Sequence, residues 1–397
     1  GNFILNTGVY GAAGGALNEV SMMEDFSPLI LNLFPVDYPL HQILGTQAMT
    51  STFTEYLVDT FSNIARTTAV VGNSAVADPD GTLLAKPEGH TYTTGTPSYP
   101  GKLKSVAEIQ GRSFGVTDTV RAVSMYGIGD RFNYEMLKVM QAVVNDCEHS
   151  FWWSQGTPPE GKDFDSDGGA IANARQTQGL MWWILKSGLA RSKEAGASIP
   201  GSCTSSACID GHGNSFGANS VLGKSAGSWA YDANGAALDS AMFKNQLMAK
   251  WWALTGMGGA NAIGFASPAV KSLLSGFALS LNGAINDRTI DAASKRLVDT
   301  VDFFETDYGT VGINLSRYLS QSGETISVAN AVNTTTVACD EGLVLIHPEY
   351  FKIGKLRGVS FTPLAKTGDF ESGLIRGEQA LICRNPQGGA AIVNCVA

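Results

Sequence analysis

Residues 130–153 read DRFNYEMLKVMQAVVNDCEHSFWW. Phe132, Met136, Met140, Val143, Cys147 and Phe151 recur at steps of four, four, three, four and four. That is the period of a helix with one apolar face. The helical pattern begins at Asp130. The spacing predicts one helix with an apolar stripe along about six turns, roughly twice the length of an average globular helix. His149, beside Glu148, reads as a surface position.

The chain before this helix reads as a protruding hairpin. Residues 50–62 form a strand carrying Phe53, Tyr56, Leu57 and Val58 among Thr and Glu. Residues 65–101 are turn chemistry, with Asp78-Pro79-Asp80-Gly81, Lys86-Pro87-Glu88-Gly89 and Pro97-Ser98-Tyr99-Pro100-Gly101. A strand returns over roughly Lys104 to Ala122, with Phe114, Val116 and Val120 on alternate positions. So long a loop is uncommon in a compact domain unless something binds it. Farther upstream, residues 1–23 are Gly-, Ala- and Asn-rich and read as an extended arm. Ser27-Pro28 opens a short helix, Leu29 to Phe34, and Asp37-Tyr38-Pro39 opens a turn that runs to Gly45.

Beyond the helix, Gln178 to Leu189 reads as one buried element, and residues 201–234 as a Gly/Ser/Asn-rich surface insertion. Helical pattern returns at Ala236–Leu254 and Pro268–Phe277. Strands follow at Val298–Phe304, Val311–Leu319, Thr325–Val328, Val337–Ile346 and Val359–Pro363, with a final hairpin from Glu378 to Val396. Helices and strands are segregated, so the class is α+β.

The 397 residues are 44% apolar and only 16% charged, the reverse of a disordered chain. The low charge fits a surface partly hidden by partners. A net charge of −9 argues against direct nucleic-acid binding, which needs basic patches. It suits any ordinary acidic cytosolic protein, the simpler account, and also a wall facing packed DNA, to which like charge prevents sticking. The first basic residue is Arg66, and residues 1–65 hold six of the nine net negative charges. A secretory signal needs a basic start, which is absent. No apolar run reaches the roughly 18 residues of a membrane span. Removal of an initiator Met and cleavage of a precursor explain Gly1 equally well.

Several strings resemble active or binding sites and fall short. Gly213-Asn214-Ser215-Phe216-Gly217 fits the nucleophile-elbow pattern, but no strand leads into Ser215. Gly223-Lys224-Ser225 ends a near miss to a phosphate loop, with the wrong glycine spacing. Asp163, Asp165 and Asp167 match the start of a calcium loop, but its twelfth position is Ala174 where Glu is needed. A solvated acidic turn is the simpler account, with weak calcium binding as the alternative. The five histidines are scattered, without ligand spacing. Cys203 and Cys208 could close a small loop. Cys383 and Cys395 flank Asn385-Pro386-Gln387-Gly388-Gly389 and could approach across a hairpin. Free thiols are the default in a reducing cytosol. No catalytic constellation, metal site or cofactor is expected.

Six strings occur in one order along about residues 24–395. They are Phe26-Ser27-Pro28-Leu29-Ile30 with Pro35 to Leu40, Gln110 to Phe114 inside Ser105–Val116, the helix ending in aromatics, Gly179-Leu180 to Ile184, Phe304 to Val311 with Asn314 to Tyr318, and His347-Pro348-Glu349-Tyr350 to Leu364–Asp369. In this order the chain resembles the major capsid proteins of tailed bacteriophages, which share the Johnson fold. Residues 190–235 depart from the pattern. The resemblance implies an N-terminal arm (1–48), an extended loop lying over a neighbour (49–118) and a peripheral-domain spine helix (119–156). It then implies a connection with the insertion (157–234), an axial domain (235–340) and peripheral strands (341–397). It implies a structural subunit, not an enzyme, that builds hexamers and pentamers of an icosahedral head around double-stranded DNA. Portal, scaffold and decoration proteins are the implied partners, no membrane is involved, and assembly takes place in the host bacterial cytoplasm. The other readings are a hydrolase using Ser215, or a tail-tube or decoration protein. As contacts between copies, acidic Glu19, Glu24 and Asp25 of the arm are expected to meet Arg66, Lys102, Lys104 or Arg112 of a neighbour.

Overall fold

The computed structural model describes residues 37–58, 101–123, 130–154, 156, 175–185, 188, 228–233, 235–256, 262–280, 290–291, 296–297, 303–320, 325–329, 334–338 and 341–395. The arm before residue 37, the turn-rich part of the loop, Ser215, the Asp163–Asp167 turn and the Cys203–Cys208 pair lie outside these residues. So do Glu19, Glu24, Asp25 and Arg66.

The described chain opens with α1 (Pro39–Ile43), a short helix with Pro at its first position. Strand β1 (Thr46–Ala48) follows, then β2 (Phe53–Val58), β3 (Gly101–Val106) and β4 (Glu108–Thr117). Helix α2 (Asp118–Ala122) leads to α3 (Arg131–Trp153), the predicted long helix. Asp130 caps α3: its carboxylate accepts the N–H of Phe132 at 2.9 Å. The apolar stripe is buried only in part. Val143, Cys147 and Phe151 are at most 1% exposed, Phe132 and Met136 are half-buried, and Met140 is 43% exposed. Leu137 and Met140 of α3 therefore keep apolar surface outside the described core.

The predicted single return strand is two strands. It breaks at buried Ala107, whose N–H donates to Thr52 O at 2.8 Å. Strand β3 pairs antiparallel with β2. Strand β4 leaves the hairpin and joins a different sheet.

Downstream come a buried helical turn at 180–185, β5 (Trp229–Asp232), a π-helical stretch (Met242–Met248) running into α4 (Ala249–Thr255), β6 (Ala262–Ala266) and α5 (Pro268–Ser280). The remaining strands are β7 (Ile290–Asp291), β8 (Arg296–Leu297), β9 (Phe303–Thr306), β10 (Gly309–Leu315), β11 (Thr325–Ala329), β12 (Thr334–Ala338), β13 (Leu343–Ile346), β14 (Phe351–Pro363), β15 (Phe370–Cys383) and β16 (Gly389–Val393). Two pairs, β7–β8 and β11–β12, stand as small two-stranded sheets.

Two larger sheets share the core. One has the order β1-β14-β15-β4 and carries α3 across β4 and β15. The other has the order β5-β16-β13-β6-β10-β9. In β13 all four residues are buried, because both faces of this sheet are covered. Val344 and Ile346 face Trp152, Trp183, Phe351 and Leu381. Leu343 and Leu345 face Phe243, Leu247, Trp251 and Val270. This is the period-two alternation of a strand with apolar residues on both sides.

Several sequence expectations are corrected here. No terminal hairpin forms, because the short 3-10 turn at Pro386–Gly388 carries the chain from one sheet to the other. Cys383 and Cys395 are accordingly buried free thiols in separate core clusters. The expected strand 337–346 is interrupted at Glu341, whose φ of 47° lies in the left-handed region. The Gly/Ser-rich insertion ends earlier than predicted, since Trp229 and Ala230 are buried sheet residues. The predicted strand 359–363 is the end of the 13-residue β14, whose register shifts at Lys355/Arg357 and again at Arg357/Ser360.

Candidate assembly surfaces

The root of the hairpin is fixed by side chains that stand in for a missing strand. Gln178 is fully buried; its Oε1 accepts the N–H of Val106 at 3.2 Å, and its Nε2 donates to Lys104 O at 3.1 Å. Thr177 Oγ1 accepts the N–H of Leu381 in β15 at 3.0 Å. The 177–178 dipeptide thus ties β3 to the four-stranded sheet. Gly179 permits this closeness: a Cβ there would lie 2.8 Å from Ser154 N and from Trp152 O.

The outer face of the hairpin alternates apolar and charged groups. Phe53 and Leu57 are 48% and 70% exposed. Between them Glu55 is shared by Lys104 (3.1 Å) and Lys102 (3.3 Å). Those lysines, Lys104 first, hold the Glu55 carboxyl below its ordinary range. Among the described residues, one carboxylate against two ammonium groups leaves this face net positive.

Arg112 of β4 makes a two-pronged bond to Asp146 of α3, Nε to Oδ2 at 2.6 Å and Nη2 to Oδ1 at 2.7 Å. The Asp146 side chain holds the guanidinium above its ordinary range. Both partners are exposed, so the bond orients β4 on the spine more than it stabilises it. The three described contact candidates, Lys102, Lys104 and Arg112, therefore all have acidic partners within their own chain. Spatially they fall in two groups, the hairpin face and the spine–sheet seam.

Among the described residues a concentrated polar junction lies at the end of α3, where sequence reading placed nothing. The Glu148 side chain is fully buried. It accepts the N–H of Leu40 at 2.8 Å, that of His41 at 3.3 Å and that of Trp152 Nε1 at 3.2 Å. His41 Nδ1 lies 2.5 Å from Oε2; a carboxylate oxygen accepts, so Nδ1 is the donating ring nitrogen. Tyr318 Oη donates to Asp37 O at 3.1 Å, and Tyr38 Oη reaches Gln141 O at 3.5 Å. Burial, and then the Glu148 charge, pushes the Tyr318 hydroxyl up to about 12. One signal was available: position 148 is three and four residues before Phe151 and Trp152, hence on the buried face.

A second missed carboxylate, Glu378, is 3% exposed and held by Arg175 and Arg357. Burial pushes the thiols of Cys147 and Cys395 up to about 12, and that of Cys383 well above its ordinary range, so these cysteines stay protonated and inert. Among the described residues no cluster of His, Cys, Asp and Glu could hold a metal ion, and no helix is long and apolar enough to cross a membrane.

The architecture has relatives. A structure titled "The capsid of Myoviridae Phage XM1" superposes with a TM-score of 0.53 at 10% identity, covering 93% of this chain and 96% of that one. "Capsid of native GTA particle computed with C5 symmetry" superposes with a TM-score of 0.51 at 11% identity, covering 95% and 96%. No curated protein sequence matches the chain. The fold is that of a phage-type capsid subunit. Residues 4–395 match the family described as SU10 major capsid protein, and the chain belongs to that family. It is a structural subunit of an icosahedral phage capsid.

Proposed function

We propose that the chain assembles as hexamers and pentamers into a head that encloses double-stranded DNA without sequence-specific binding. The observation that carries this reading is the family match over residues 4–395. The fold supports it physically: a hairpin with exposed Phe53 and Leu57 gains its burial against another copy. In this reading residues 1–48 are the arm, 49–118 the extended loop, 119–156 the spine, 157–234 the connection, 235–340 the axial domain and 341–397 the peripheral strands. The chain performs no catalytic step. It assembles in the host cytoplasm with portal, scaffold and decoration proteins. Negative-stain microscopy and sedimentation of the purified chain are expected to show closed polyhedral shells or capsomer rings. Tubes would favour a tail component instead. A permanent monomer, even with the other head proteins supplied, counts against assembly altogether.

The acidic arm residues Glu19, Glu24 and Asp25 steer toward the net-positive hairpin face of a neighbour, with Arg66 and Arg112 as further contacts. Exposed pairs contribute about 0.2–1 kcal/mol each and are screened by salt, so the effect belongs to assembly rate. Replacing Lys102 and Lys104 together by Glu should slow light-scattering assembly at low salt. Adding Glu55→Lys to that variant restores the pairing within the hairpin while keeping its reversed charge. Assembly should stay slow in the triple variant. Rates equal to the parent at low salt rule the steering out.

A further inference from the structure

The structure assigns Glu148 as the positioning residue that sets where the N-terminal arm leaves the body of the subunit, through its bonds to Leu40 and His41 of α1. This rests on the proposed reading of residues 1–48 as an arm that meets neighbours.

The physical case begins with α1 itself. Five residues form barely more than one helical turn, too short to hold a direction alone. Its orientation must come from outside, and the contacts are specific. Glu148 accepts three N–H bonds from α1, two from backbone and one from His41 Nδ1. The carboxylate is itself held from the spine by Trp152 Nε1, so it does not swing freely. The His41 ring lies 5.1 Å from that of Phe151, one turn along the same spine face. Tyr318 grips the carbonyl of Asp37 one residue before Tyr38. The polar contacts of Leu40, His41 and Asp37 thus tie the arm root to the last turns of α3 and to the 3-10 turn at Arg317–Ser320, just before the β1–β14 pairing.

A carboxylate is the side chain this geometry requires. It has only acceptors, and it faces only donors. A leucine of similar size would leave two backbone N–H groups and an indole N–H without partners in the core. A glutamine would turn an NH2 group against one of the donors.

The test uses the full chain and two readouts. The first is hydrogen exchange of the Leu40 and His41 amides; the second is the protein concentration at which shells begin to form. Glu148→Gln should speed exchange of those amides at least tenfold, leave exchange in the middle of α3 unchanged, and raise the onset concentration at least tenfold. His41→Leu, which keeps the carboxylate and its backbone donors, should raise the onset less. His41→Asn, whose amide reaches the place of Nδ1, should restore it. If Glu148→Gln fails to fold, the two His41 variants carry the test. Parental onset in Glu148→Gln, or in His41→Leu where only that variant folds, overturns the inference. Deleting residues 1–36 separates the two levels. If that deletion also assembles at the parental onset, the arm reading has failed. If the deletion abolishes shells while the point variants assemble normally, only the role of Glu148 has failed.

Discussion

Trp152→Ala is expected to lower the stability of the unassembled subunit by about 3–5 kcal/mol, the range for emptying a large aromatic site. Trp152 is fully buried where the spine meets both sheets. Its ring stacks on Tyr318 with an interplanar angle of 12° and centroids 6.2 Å apart. Phe265 of β6 meets it edge-on at 5.3 Å. Removing the indole leaves a cavity bounded by strands, which cannot collapse cheaply. It also takes one donor from buried Glu148. Trp252→Ala is the matched control: that ring is 51% exposed, and its loss should cost no more than about 1 kcal/mol. Urea unfolding of capsomer-free protein reads both. Equal midpoints for the two variants would show that the Trp152 site refills.

Glu378→Ala should cost about 3 kcal/mol, through a different mechanism. Arg175 Nη2 donates to Oε1 at 2.9 Å; Arg357 Nε and Nη2 approach Oε2 at 2.8 and 2.7 Å. Without the carboxylate two guanidinium groups face each other across a nearly dry site, and breaking a buried pair costs more than the pair contributes. Arg357 is half exposed and can turn to water, so the loss falls mainly on Arg175. The triad also spans the irregular stretch of β14, where Arg357 lies opposite Glu378 between two register shifts. Replacing Glu378, Arg175 and Arg357 together by apolar residues of similar size should recover most of the stability. A triple variant as unstable as Glu378→Ala would show that the charges, not their imbalance, hold the bulge in place.

The long helix α3 was legible because its signal is local, a period that repeats through Phe151. The hairpin was half legible. The pairing of its two strands at the root was expected, but nothing near Ala107 marks the point where β4 abandons β3, since that is decided by β15 from more than 250 positions away. The Pro386 turn looked like a hairpin turn for the same reason, because local chemistry gives a bend but not the sheet that receives the chain. The polar junctions were the least legible part. Glu148 and Leu40 are 108 positions apart, Gln178 and Val106 are 72, and Arg175 and Glu378 are 203. A charged residue on a helix is ordinarily solvated, so only the apolar company of Phe151 and Trp152 distinguishes Glu148 from its neighbours.

The position of β16 has a consequence for synthesis. It lies between β5 and β13, so the six-stranded sheet cannot close until residues 389–393 have been made. Strand β5 is complete about 160 residues earlier, a delay of roughly 8–32 s at bacterial elongation speeds of about 5–20 residues per second. During that interval a nascent chain presents an unfinished sheet. Until β16 is made, β5 lacks the strand it pairs with and β13 has β6 alone as its sheet neighbour.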